Sequence, residues 1–321
     1  MIWMKKFVVA LGILAAINGP AVASPLEITI VFPTGTTHDV TARAVQQYLQ
    51  DRAGIQSVVV PRPGAGGKIG MQWAAAQPAN GRQILIASSG QLVTERLFDS
   101  NYVDVNTWEF VGPLWQSNNY IVVNSSSNIR TLQDFVEQAR RRPVNCANAI
   151  PQDRLVLSLM KQQLNLQGLE LVQMKSLPEA AVQLLGGHIE CTTDTLTGPV
   201  WRSPEHKDKW RVIATFSDEA VPGVPNVNQL IPGLSARPWF AVGVARATPE
   251  PQKSQLLALL REMYKDDKFR AVLAAGNTDL MTGKVSIPQP ARSANALAEQ
   301  QFEFWRSFMQ RNPSGVIVPR N

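Results

Sequence analysis

Short apolar runs alternate with segments of helical period along most of the chain. Residues 26–32 (LEITIVF) form a β-rich run that stops at Pro33. Val40, Ala44, Val45, Tyr48 and Leu49 then share one face at helical spacing, which predicts a helix over 40–49. Residues 57–60 predict a second strand, 69–76 a helix, and 83–87 (QILIA) a third strand ending at Ser88-Ser89-Gly90. A less regular stretch rich in Trp and Asn covers 108–119. The alternation then restarts, with strands over 120–123, 144–147, 169–173, 189–193 and 211–216. Helices are predicted from Thr131, where Leu132, Phe135, Val136 and Ala139 share a face, and over 154–164 and 179–185. A Pro-rich connection, 222–238, leads to a strand over 240–245 and helices over 249–265 and 293–310. Short continuous apolar strands separated by amphipathic helices predict parallel sheets covered on both faces. Two such α/β units facing each other would form a cleft, where small-molecule sites usually lie.

The first 23 residues stand outside this pattern. Lys5 and Lys6 precede an uninterrupted apolar run over 7–17, Asn18-Gly19-Pro20 breaks any helix, and Ala21-Val22-Ala23 supplies a small-x-small cleavage pattern. The run is too short for a bilayer span, which takes ~20 residues. A cleavable signal peptide over 1–23 and an exported, periplasmic mature chain are expected.

Composition then changes the picture in a few respects. The chain has 321 residues, 45 % hydrophobic and 17 % charged, which excludes a disordered chain and a solvated coiled coil. The net charge of +6 invites a nucleic-acid reading. The basic residues are scattered, however. The one dense run, Arg140-Arg141-Arg142, ends a predicted helix and complements its dipole. Nucleic acid is set aside as a partner. Cys146 and Cys191 are the only cysteines; in an oxidising compartment they form one disulfide or remain buried thiols, and the sequence leaves both open. His38, His188 and His206 lie far apart, so no metal or other cofactor is expected.

Pro61 to Gly70 reads PRPGAGGKIG and fits neither a dinucleotide fingerprint nor a P-loop. It is a strand leading into a Gly-rich turn at a helix start, a form suited to an anion or simply to positive φ. Pro33-Thr34-Gly35-Thr36-Thr37-His38-Asp39 likewise precedes a helix, where Asp39 in the first turn has an ordinary capping role. Two such loops on neighbouring strands favour a shared carboxylate site. No nucleophile elbow and no His-Glu-x-x-His pattern occurs, so an enzyme is not expected.

These segments resemble the substrate-binding proteins of tripartite tricarboxylate transporters, the Bug family. That family has Pro-x-Gly-Gly-x-x-Asp after its first strand, and Pro33 to Asp39 resembles it, with Ala42-Arg43 following. Its Asn-Arg-Pro-Gly-Ala-Gly-Gly-x-x-Gly motif is similar to Pro61 to Gly70 with only the first residue changed. Leu184-Leu185-Gly186-Gly187-His188-Ile189-Glu190 and Val221-Pro222-Gly223-Val224-Pro225 resemble later landmarks.

The resemblance implies a type II periplasmic binding protein-like α/β fold with two lobes and a central cleft. The expected division is 24–119 plus 240–321 for the first domain and 120–239 for the second. It implies a monomer that binds a small organic acid and hands it to integral-membrane transporter subunits or a sensor kinase. Carried over, the ligand-binding positions are Pro33, Thr34, Gly35, Thr36, Thr37, His38 and Asp39, then Ala65, Gly66 and Gly67, with Ser88 and Ser89 at the third strand end. The second domain adds Asn148, Ala149 and Asp194.

Three departures bear on the ligand. Thr36 replaces a glycine, His38 stands where a small residue is usual, and the family's Ser-Gly-x-Gly-Ser loop is here Asn148 to Asp153. Asp153 near a helix start has an ordinary N-cap role; turned into the cleft instead, it would repel a second carboxylate. The expected ligand is therefore a monocarboxylate, or an acid with an amide or cationic far end, and not a tricarboxylate. His38 is expected to make affinity depend on pH near its ordinary value of ~6.5. An exported clamp-fold interaction or regulatory protein that has lost ligand binding is the alternative, and an exported hydrolase a more distant one.

Overall fold

The computed structural model describes residues 25–288 and 293–311. The expected signal peptide, 1–23, lies outside the described residues. The first part of the chain runs β1 (Leu26–Ile30), α1 (Thr37–Ala53), β2 (Ser57–Pro61), α2 (Lys68–Ala75) and β3 (Gln83–Ser88). A wide helical turn, Gly90–Thr94, continues into the short α3 (Glu95–Phe98) and then β4 (Trp108–Gln116). The middle part is β5 (Tyr120–Asn124), α4 (Leu132–Arg141), β6 (Val144–Asn148), α5 (Pro151–Gln163), β7 (Leu169–Gln173), α6 (Leu177–Leu185), β8 (Cys191–Asp194), α7 (Pro199–Arg202) and β9 (Trp210–Thr215). The chain closes with β10 (Trp239–Ala245), α8 (Gln252–Glu262), α9 (Asp267–Asn277) and α10 (Ala294–Arg311).

Two five-stranded sheets result, in the orders β2-β1-β3-β10-β4 and β7-β6-β8-β5-β9. The protein is thus a two-lobe α/β fold. The chain passes from the first sheet to the second between β4 and β5, and returns between β9 and β10. The sheets are mixed, which corrects the expectation of parallel ones. β10 is antiparallel to β3 and β4, and β5 is antiparallel to β8 and β9. β5 and β10, which receive the chain after each crossing, run opposite to the strands of the βα units, whereas β4 and β9, from which it leaves, run with them.

The side-chain period of two explains the core. Ile84 and Ile86 pack with α1 and α8, whereas Leu85 and Ala87 face the opposite side of the sheet. Tyr120 and Val122 likewise separate from Ile121 and Val123. One apolar cluster joins both lobes: it includes Leu92 and Trp108 from the first, Phe135 and Leu155 from the second, and Trp305 from α10.

The helix starts follow local chemistry. Thr131 caps α4, accepting from Asp134 N at 3.0 Å, and the Asp134 carboxylate in turn accepts from Thr131 N. Ser176 caps α6 by accepting from Glu179 N. The irregular stretch 108–119 contains β4, a nine-residue strand that the sequence hides. Trp108, Phe110, Val111, Leu114 and Trp115 are all buried, so both faces are apolar and no alternation marks it. The predicted helix over 249–265 is α8, which ends at Glu262, and α9 follows it, capped by Asp266 accepting from Phe269 N.

Cys146 and Cys191 form a disulfide. They lie opposite each other on neighbouring strands β6 and β8, a pairing that the sequence left undecided.

Candidate functional site

The carboxyl ends of β1, β6, β7 and β8 converge on a cavity between the two sheets. Its empty space is about 450 Å³, the open mouth included. The first lobe contributes Phe32, Gly35, Thr36, Thr37 and His38. The second contributes Ile150, the start of α6 (Ser176 to Pro178), Asp194, Thr195, Thr197, Gly198, Val200 and Trp201.

The first-lobe loop brings the amino end of α1 to the cavity. Thr36 is the N-cap residue, but its side chain does not cap the helix; Thr36 Oγ1 donates to Pro33 O at 2.7 Å. The leading amides of α1 are therefore free of a side-chain cap, a setting that attracts anions. Asp39 does not line the cavity. It lies in the first turn, accepts from Gly35 N at 2.9 Å and pairs with Arg43 at 3.1 Å.

His38 is only 4 % exposed and packs between Phe32 and Phe240, with ring centroids 4.7 and 4.8 Å away. Burial pushes the imidazole down to about 3, against a weaker opposing contact with Gln91. It stays neutral where an ordinary histidine titrates, so the expected His38 pH dependence is not supported. A neutral ring offers one donor and one acceptor, and Nε2 has no hydrogen-bond partner.

The second Gly-rich loop is filled by this chain's own side chains. Gln91 Nε2 donates to Gly66 O at 2.9 Å, while its Oε1 accepts from Ser88 N and Ser88 Oγ at 3.0 and 2.8 Å. Ser89 Oγ accepts from Gln152 Nε2 of α5 and from Trp239 N. The Glu95 carboxylate lies against Gly66 and pairs with Arg154 of α5 at 3.1 Å, and that guanidinium stands 3.7 Å over the Phe98 ring. Ala65, Gly66, Gly67, Ser88 and Ser89 are thus gathered at a contact between the lobes, beside the cavity and not in its lining. Pro33 and Thr34 are likewise absent from the lining.

Gly66 has φ +64°, and a Cβ there would stand 2.2 Å from Glu95 Oε1. The left-handed backbone costs a residue with a Cβ about 1–2 kcal/mol. Gly66→Ala is expected to lower stability by about 2 kcal/mol in urea unfolding, because the strain comes with displacement of Glu95 from Arg154. A variant as stable as the parent would show that the loop relaxes freely.

The second lobe presents two buried carboxyls. Asp153 is fully buried and does not point into the cleft. Its Oδ2 accepts from Ala149 N and Ile150 N, both at 3.1 Å, and its Oδ1 from Asn119 Nδ2 at 3.3 Å. It consumes the amides that Ala149 and its neighbour would offer to a ligand, and neither Asn148 nor Ala149 lines the cavity. Burial pushes Asp153 up to about 6, with Thr193 and those amides opposing.

Asp194 lines the cavity and is 2 % exposed. Its Oδ1 accepts from Leu196 N at 2.7 Å, and its Oδ2 has no hydrogen-bond partner. Burial pushes it up to about 7; the Asp153 charge adds to the rise, while Leu196 N–H, Trp201 and Thr195 N–H oppose it. Among the described residues, neither Asp153 nor Asp194 belongs to an ion pair.

Several lining residues escaped the sequence reading. Thr195 and Thr197 follow β8 directly, as strand-end site residues do, so the rule that found Ser88 and Ser89 also applies to them. Ser176 and Glu179 carry the capping spacing that marks α6. Nothing in the sequence marks Trp201.

A cavity between two α/β lobes, formed by strand-end loops and an uncapped helix start, defines a two-lobe binding protein for a small molecule. Among the described residues no group of His, Cys, Asp and Glu is placed to hold a metal, and no described helix is long and apolar enough to cross a membrane. The family of the tripartite tricarboxylate transporter receptor matches residues 41–303, and the chain belongs to that family. Protein BugT of Bordetella pertussis is 26 % identical over 298 residues, covering 89 % of this chain and 90 % of BugT. An R. palustris protein solved with adipate has a TM-score of 0.75 at 21 % identity, over 89 % of this chain and 96 % of its own. MatC from Rhodopseudomonas palustris, solved with bound malate, has a TM-score of 0.76 at 16 % identity, over 88 % of this chain and 98 % of its own.

Proposed function

We propose that this protein is a periplasmic solute-binding protein. It captures a small organic carboxylate between its lobes and delivers it to integral-membrane transporter subunits or a sensor kinase. The carrying observation is the uncapped start of α1 opening on the interlobe cavity, where backbone amides hold an anion without Lys or Arg. Family membership and the adipate and malate bound by two proteins of this fold support the reading. On this reading, residues 1–23 are removed on export and the mature chain acts as a monomer. Residues 24–119 with 240–321 form one clamp domain, and 120–239 the other; they close on the ligand about the two crossings. Gly35, Thr36, Thr37, His38 and Asp194 touch the ligand, and the remaining loop residues hold the lobes together.

A thermal-shift screen of small organic acids tests this. A ligand at about 100 times its Kd stabilises by ~2.7 kcal/mol, which moves the melting temperature of a protein this size by roughly 4 °C. No shift with any acid favours the second reading, an exported interaction protein that keeps the clamp fold. That reading is motivated by Asp153, Gln91 and Glu95 standing where a ligand's contacts would be. Turnover of a binding acid would instead indicate an enzyme.

A further inference from the structure

The two ends of the cavity differ in kind. At the first-lobe end stand the uncapped amides of α1 and the neutral ring of His38, whose buried Nε2 lacks a partner. This end accepts a carboxylate. At the second-lobe end stands Asp194, with a buried, unpartnered Oδ2 and Asp153 behind it. Trp201, 2 % exposed, lines the same end. Neither carboxyl has a cationic partner among the described residues, while the basic residues near the cleft are engaged elsewhere: Arg154 with Glu95, and Arg202 with Thr197 O and Thr278 O. A buried acceptor without a donor is costly unless something donates to it.

We propose that the cavity takes a zwitterionic acid, with its carboxylate at the start of α1 and an ammonium group at Asp194, and that it discriminates against dicarboxylates of the same length. This rests on the solute-binding reading above. A dicarboxylate would place its second charge against Asp194 with Asp153 close behind, where like charges disfavour each other and water is excluded. An ammonium there donates to Oδ2 and offsets the charge of Asp194. The sequence motivated the same ligand class through Asp153. The structure turns Asp153 away and puts Asp194 in that place.

Calorimetric titration of the full protein at about pH 8 tests the proposal with two matched pairs: γ-aminobutyrate against glutarate, and δ-aminovalerate against adipate. Within each pair the molecules share the same methylene chain and differ only in carrying an ammonium or a carboxylate at the far end. The tighter-binding amino acid is expected to exceed its dicarboxylate partner by at least ~10-fold in affinity, and Asp194→Asn to reduce that ratio to below ~3-fold. The Asn variant keeps an acceptor for Leu196 N–H, so its fold is retained. Glutarate or adipate binding as tightly as its amino partner overturns the proposal alone and leaves solute binding intact. So does a preference that Asp194→Asn leaves unchanged. Binding of none of the four acids, nor of any other acid in the thermal screen, overturns the solute-binding reading and this proposal with it.

Discussion

Replacing Cys146 and Cys191 together by alanine is expected to lower the free energy of unfolding by about 4 kcal/mol. The disulfide joins residues 45 apart in sequence and closes a loop that contains α5, β7 and α6. Without it, the unfolded chain regains the freedom of that loop, and the chain-entropy relation at this length gives the stated figure. Both cysteines are fully buried, so the loss also includes a little packing. The fold itself should persist, because β6 and β8 also pair through Ala147 and Thr192, and apolar residues cover both faces. Urea unfolding of the oxidised parent and the double variant measures the difference. A loss below about 1 kcal/mol would mean that the loop is already ordered in the unfolded chain.

Asp194→Asn is expected to raise the stability of the ligand-free protein at about pH 8 by roughly 2–4 kcal/mol. The sign follows from protons bound. Asp194 rises from 3.8 to about 7 on folding. Below pH ~4 it is protonated in both states; as pH climbs from there to about 7, the unfolded chain loses its proton first and stability falls. Above about 7 the whole cost is present. Asp153, raised to about 6, acts with the same sign. His38 acts oppositely. With its ring at about 3 when folded and 6.5 when unfolded, stability falls as pH drops below 6.5. The Asn variant removes only the Asp194 contribution, so its gain should shrink steadily between pH 8 and pH ~4. Melting temperatures at the two extremes check this, and an equal or lower melting point at pH 8 would falsify it. The same charge burial explains why a cation-bearing ligand would act as a clamp: binding relieves what folding strains.

Much of the architecture is legible in the residues. The runs at 26–32, 83–87 and 120–123 each match a strand of the observed sheets to within two residues, since a largely apolar run of that length has few other fates. The Gly-rich turn at Gly64 to Gly67 is recognisable because positive φ at Gly64, Gly66 and Gly67 demands glycine. β4 was hidden because it is apolar on both sides, and α9 because its short apolar pattern follows a run of charges (Lys265 to Lys268) that reads as a loop. The loop at Pro33 to Asp39 was placed correctly at a strand end, but which of its residues reach the cavity was not legible. Asp39 folds back on Gly35, while His38 swings between two phenylalanines, one of them 202 positions away on β10.

By itself, the sequence determined where most of the chain turns, most of its helices and strands other than β4 and α9, and which loops lie at strand ends. Periodicity and φ preference are local properties, and each is written within a few residues. Only the tertiary structure decided that Cys146 faces Cys191, that Asp153 turns to its own helix start and not to the cleft, that Glu95 lies against the glycine turn, and that Asp194 lines the cavity with Oδ2 lacking a hydrogen-bond partner. Those outcomes depend on burial and on partners drawn from distant parts of the chain. The charge state of a carboxyl follows from that surrounding, which no stretch of sequence contains.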